Sequence, residues 1–255
     1  MQCQLCLQEK NLLKKSHIFP NFLYKNIFGE EHRLVNINLG NFDDFHFTHS
    51  GFYDKEILCR ECDGTILSRL ETYASNKLYF NGSERSRSEV RTELLSGGDA
   101  VPAIRFHNMD YAKIKLFLLS LLWRTHISKQ AFFKEVQLGP YAEKLRRMLL
   151  NHDAGKEDEF EVILMHIDSK KTRPEKGLFQ PRQLRIDGNY QYAFYIDRII
   201  YHYNISPHNK SSIYTKGIVK NDGIFDICLL TDAMARSYFD SILGQRITLK
   251  SNPVK

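Results

Sequence analysis

The sequence predicts an α+β fold: a cysteine-rich N-terminal part, then a second part in which helices precede a largely antiparallel sheet. Three observations predict it. Four of the five cysteines fall in two C-x-x-C pairs, Cys3/Cys6 and Cys59/Cys62. Downstream, apolar residues recur first at helical spacing. Beyond Lys156 the pattern changes to runs rich in β-branched and aromatic residues that partly alternate.

In chain order, the first element is the knuckle "CQLC". A C-x-x-C turn lets two thiolates reach one ion, and two such turns complete the four-ligand set that zinc favours. The long separation from Cys6 to Cys59 is allowed because loop-closure entropy grows only logarithmically. After the second pair, Ile66, Leu67, Leu70, Ala74 and Leu78 follow at helical spacing, which puts Cys62 in or just before a first helical turn. A knuckle, an extended region and a second pair at a helix N-terminus describe a treble-clef zinc domain, expected over residues 1–82. The polar stretch 83–100, part of "NGSERSRSEVRTELLSGGDAVP", reads as a linker or exposed loop.

Residues 101–255 form the expected second region. Asp110 is a candidate N-cap for a helix starting at Tyr111, with Ile114, Phe117, Leu118, Leu121 and Leu122 on its apolar face and an end near Ser128. Pro140 opens the next helix, with Leu145, Met148 and Leu149 facing inward. "EFEVILMHI", "YQYAFYI", "IIYHYNI" and "GIFDICLL" read as strands, "DSKKTRPEKG" as a basic loop and "DAMARSYFDSIL" as a closing helix. At the end of the apolar helix, Trp123 and Arg124 suit an anchor for a partner or substrate, but the preferred reading is a core Trp123 with Arg124 snorkelling to the surface. The strand tyrosines suit base stacking or plain sheet packing equally. Cys228 reads as a buried, inert thiol.

Composition bounds the partners. The longest apolar run, Leu116 to Trp123, falls well short of the roughly 20 residues of a membrane span. The polar N-terminus does not read as a signal peptide, so the expected location is the cytoplasm. In that reducing compartment the cysteine pairs read as metal ligands rather than disulfides. A net charge of +6 suits an anionic partner such as nucleic acid, although many proteins without one are equally basic.

The residues around the cysteines sharpen this. "SHIFP" (Ser16–Pro20) follows the first knuckle, and "DKEILCRECD" (Asp54–Asp63) spans the second. Over about 65 residues this resembles the zinc-stabilised HNH endonuclease family, a ββα-metal type. The resemblance places His17 on the family's general-base histidine, which takes a proton from the water attacking a phosphodiester. It places Asp54 where an Asn orients that histidine, and Asp63 where the last His or Asn completes a catalytic site for magnesium or manganese. Ser16 departs from the pattern, standing where the family has a metal-binding Asp.

The resemblance implies a metal-dependent endonuclease acting on nucleic acid, expected to be DNA, with a structural zinc on Cys3, Cys6, Cys59 and Cys62. Arg60, Arg69, Arg85 and Arg87 are candidate phosphate-backbone contacts. A role in bacterial defence against phage is implied, with target choice, regulation, a homodimer contact or a protein partner assigned to the second region. The alternative is a non-catalytic zinc module binding nucleic acid or a protein. His32, His46 and His49 read as polar residues of an insertion loop.

Overall fold

In the computed structural model, residues 1–25, 27–28, 34–38, 41–48, 50–80, 90–96, 101–167, 177–186, 189–205, 217 and 219–243 are described. The first knuckle leads into a two-residue strand β1 (Ser16–His17) and a single 3₁₀ turn. A hairpin of β2 (Leu34–Asn38) and β3 (Asn41–Thr48) follows, then the short strand β4 (Tyr53–Asp54). Strands β1 and β4 pair antiparallel as a separate two-stranded ribbon, with Ser16 opposite Asp54 and His17 opposite Tyr53.

Behind the second cysteine pair, a wide π-helical turn at Cys62–Leu67 runs directly into α1 (Ser68–Lys77). Strands β5 (Thr92–Leu95) and β6 (Ala103–Phe106) come next, so the stretch expected to be a linker contains a strand. Then come α2 (Tyr111–Ile127) and α3 (Tyr141–Asn151). Asp110 caps α2 as expected, its carboxylate accepting from the Lys113 amide at 3.0 Å.

Strands β7 (Glu161–Ile167), β8 (Leu178–Ile186), β9 (Asn189–Ile196), β10 (Ile199–Asn204) and β11 (Phe225–Leu230), with the closing helix α4 (Asp232–Leu243), complete the order. Nine strands form one sheet in the order β3-β2-β8-β9-β10-β7-β11-β6-β5. It is antiparallel except where β2 meets β8 and β7 meets β11. The hairpin between the two cysteine pairs therefore extends the sheet of the second region. Strand β8 escapes a reading by alternation because Pro181 lies within it. The register shifts by a bulge between Phe179 and Arg182, a place where a strand tolerates a residue without an N–H.

The central strands are buried on both faces. Val162 and Leu164 of β7 join the core shared with α1–α3, while Ile163, Met165 and Ile167 join the core under α4. Helix α2 is buried nearly all round, from Ile114 to Thr125, packed against α1, α3 and β7. The N-terminal part enters the same core: Phe19 meets Phe133 edge-on at 5.4 Å and Phe194 at 5.8 Å. Tyr192, Tyr201 and Tyr203 are wholly buried, so these strand tyrosines pack rather than stack on bases. Among the described residues no helix is long and apolar enough to cross a membrane.

Candidate functional site

The four cysteines are brought together from two distant turns. At the first, the Cys3 amide donates to Gln8 O at 3.0 Å and Leu7, at φ 58°, returns its amide to Cys3 O at 2.9 Å. At the second, the Cys59 amide points at Cys3 Sγ, 3.4 Å away, and the Gln4 amide reaches Ile57 O at 2.9 Å. The four Sγ atoms all lie within 4.8 Å of one another, and none is in a disulfide. Sulfurs around a tetrahedral zinc stand about 3.8 Å apart for Zn–S bonds of about 2.3 Å, so the cluster fits that ion. The N–H aimed at a sulfur is the kind of outer contact that steadies a thiolate ligand.

His17 projects from the ribbon, half-buried. Burial holds its pKa below the ordinary value, Lys15 and Arg124 push the same way, and Glu71 opposes them. Its imidazole is therefore neutral at pH 7, the form in which it can accept a proton. Asp63 lies in the π turn, directly after Cys62. Burial pushes its carboxyl up to about 6, with Arg124 opposing and Glu71 adding to the rise.

Arg124 is the residue whose sequence reading fails. Its side chain is 1% exposed instead of reaching the surface. It donates to His17 O at 3.2 Å, to Glu71 Oε1 at 2.6 Å and, more weakly, to Ser120 O at 3.4 Å. From Ile114 to Thr125 helix α2 is buried on every side, so it offers Arg124 no solvent face to snorkel toward. The signal available in the sequence is the run Leu116–Trp123, too continuously apolar for a helix with a solvent face. Glu71, about a quarter exposed, and the buried Arg124 thus form an ion pair whose field acts on both His17 and Asp63.

Asp54 does not orient His17. Direct cross-strand partners share a face of a ribbon and neighbours alternate, so Asp54 and Ser16 lie on the face opposite His17 and Tyr53. The Asp54 carboxylate accepts from Ser128 Oγ at 2.6 Å, the Lys129 amide at 2.9 Å and Gln130 Nε2 at 3.1 Å. Ser16 is 0% exposed, and its Oγ has no hydrogen-bond partner among the described residues. The position where the resemblance expects a metal-binding carboxylate points into the fold.

Arg60, between Cys59 and Cys62, and Arg69, on α1, are exposed, while Arg85 and Arg87 lie outside the described residues. So do His32, His49 and the side chain of His46. Among the described residues, the cysteines are the one group of three or more His, Cys, Asp or Glu side chains close enough to share an ion. His17, Asp63 and Glu71 do not form a second such group. No family model, curated protein or solved structure matches the chain.

Proposed function

We propose that the chain is an HNH-type phosphodiester hydrolase built on a treble-clef zinc domain, with DNA as its polymer. The observation that carries this reading is the setting of His17: a neutral imidazole on a short ribbon, beside a helix that begins in the four-cysteine cluster and carries Asp63 in its first turn. Knuckle, ribbon and helix follow one another as the resemblance requires. The cysteines hold a structural zinc that fixes the start of the helix, and with it Asp63.

In this reading His17 accepts a proton from the attacking water, and the phosphorus–oxygen bond to the leaving nucleotide breaks. Asp63 is the carboxylate available to a magnesium or manganese ion, which keeps most of its water ligands and needs only one or two carboxylates besides substrate phosphate. Such an ion, when bound, supplies Lewis-acid polarisation of the phosphate. The Arg124–Glu71 pair holds the His17 main chain in place. Defence against foreign DNA is the biological role that the resemblance suggests.

The buried Ser16 and the diverted Asp54 favour a second reading, a zinc module that binds nucleic acid without cutting it. Incubating the protein with supercoiled plasmid and magnesium, manganese or nickel separates the two. Nicking that disappears in His17→Ala supports the hydrolase. Absence of nicking with every metal, or nicking that survives the substitution, overturns it.

A further inference from the structure

We infer that the open groove beside strand β4 is a binding site for a nucleic-acid phosphate backbone, fed by Lys15, Lys55 and Lys129. The groove measures about 550 Å³ and is lined by residues 50–56 of the N-terminal part and by Lys129 and Gln130, which follow α2. Its identity as a nucleic-acid site, rather than a site for another polyanion, rests on the reading above.

Three observations carry the assignment. The first is charge. Lys55 and Lys129 line the groove, and Lys15 lies over the ring of Tyr53, another lining residue. All three are exposed, and none has an ion-pair partner among the described residues. Other lysines are tied to carboxylates, Lys10 with Glu61 at 2.6 Å, Lys113 with Asp110 at 2.8 Å and Lys144 with Glu159, so their charge is already answered. The one exposed carboxylate lining the groove is Glu56, because Asp54 is 5% exposed and turned onto its three donors.

The second is rigidity. Asp54 accepts from Ser128, the Lys129 amide and Gln130, and Gln130 Nε2 also donates to Tyr53 O at 3.0 Å. The segment bearing Lys129 is therefore pinned against β4. On the other side, Lys15 Nζ lies 4.2 Å from the centroid of the Tyr53 ring, a cation–π contact that holds its ammonium over β4. Lysines held in place before binding lose less freedom when a phosphate arrives. Asp54 thus acts as a positioning residue for the groove, in place of the catalytic role the resemblance gives it.

The third is location. His17 and Tyr53 are direct cross-strand partners, so their Cβ atoms stand roughly 5 Å apart on one face of the ribbon. A strand whose phosphates reach from Lys55 and Lys129 in the groove to Lys15 over the Tyr53 ring runs toward the face that carries His17. Zinc, ribbon and groove then divide the work: the cluster fixes the helix, the ribbon presents the base, and the groove aligns the polymer.

Titrating a short fluorescein-labelled DNA duplex into the full chain, in sodium chloride without added divalent ions, tests this. Binding that weakens at least about tenfold in Lys15→Gln/Lys55→Gln/Lys129→Gln, with the log–log salt slope flattened by about 0.9 per lysine, is the expected result. The same measurement on Arg60→Gln/Arg69→Gln serves as comparison, and matching melting temperatures show that both variants fold. Unchanged affinity and slope in the lysine variant, affinity lost only in the arginine variant, or no duplex binding by the unsubstituted chain would each overturn the groove. The plasmid assay reports separately. Nicking that needs His17 but not the lysines leaves the hydrolase standing without the groove. Lysine-dependent binding without nicking leaves the groove standing without the hydrolase.

Discussion

Arg124, buried in the middle of the fold, donates to the main-chain oxygen of His17 at 3.2 Å and so joins the long apolar helix to the ribbon that carries the candidate base. The same guanidinium nitrogen holds Glu71 Oε1 at 2.6 Å. One side chain of the second region thereby braces two elements of the cysteine-bearing part.

Removing that brace is costly. Arg124→Met leaves the partly buried Glu71 carboxylate without its cation and the His17 carbonyl without a donor. Breaking one side of a buried pair costs about 3 kcal/mol, and we expect a loss of that size in urea denaturation. Arg124→Lys should recover little of it, since one ammonium cannot serve Glu71, His17 and Ser120 as the planar fork does. A lysine variant as stable as the parent would show that the fork geometry is unimportant.

The four-cysteine cluster predicts about one zinc per chain by elemental analysis, lost in Cys59→Ser. Replacing zinc by cobalt should give the intense thiolate-to-metal absorption of an all-sulfur tetrahedral site. Because binding to the folded state alone adds stability by mass action, chelation should lower the melting temperature of the parent and leave Cys59→Ser unaffected. Equal chelator sensitivity in both would argue against this site.

Much of this was legible in the residues, for identifiable reasons. The cysteine spacing marks the cluster because few chemistries other than metal binding use two C-x-x-C turns in one chain. The boundaries of α2, α3 and α4 follow from Asp110, from Pro140 and from apolar spacing. What stayed hidden depends on distant partners. The hairpin at residues 34–48 becomes part of the sheet only through parallel pairing with β8, and β8 itself is masked by Pro181 and its bulge. Asp54 looks catalytic in a linear motif, yet the β1–β4 register turns it away from His17. Arg124 looks like a surface cation until helix α2 is known to be buried all round from Ile114 to Thr125.

His202 gives the fold a pH dependence of its own. It is buried in β10 under α4, with Tyr238 OH 2.8 Å from Nδ1 and Gln191 Oε1 2.8 Å from Nε2. Burial pushes its pKa down to about 4, from an ordinary 6.5. The unfolded chain therefore takes up this proton first as pH falls. The stabilising contribution is fully present above pH 6.5 and drains away as pH falls toward 4. Between pH 7 and pH 5 the loss amounts to about 2 kcal/mol from this one group. Urea denaturation at the two pH values should show a difference smaller by that amount in His202→Gln. An equal pH dependence in parent and variant would remove His202 as the cause.

His17 permits a test that does not depend on turnover. Its ring can be followed by NMR titration, assigned by its disappearance in His17→Ala. Burial, Lys15 and Arg124 all depress its pKa and Glu71 opposes them, so the midpoint should lie below 6.5 in the parent. Removing a depressing cation raises the midpoint, and removing the opposing anion lowers it. Lys15→Gln should therefore shift the titration toward higher pH, and Glu71→Gln toward lower pH. If His17 is the proton acceptor in phosphodiester cleavage, the acid limb of the nicking rate must move in the same direction in each variant, because activity requires the neutral ring. Titrations that shift while the acid limb stays fixed would assign the base to another group and leave His17 as a neutral element of the binding face.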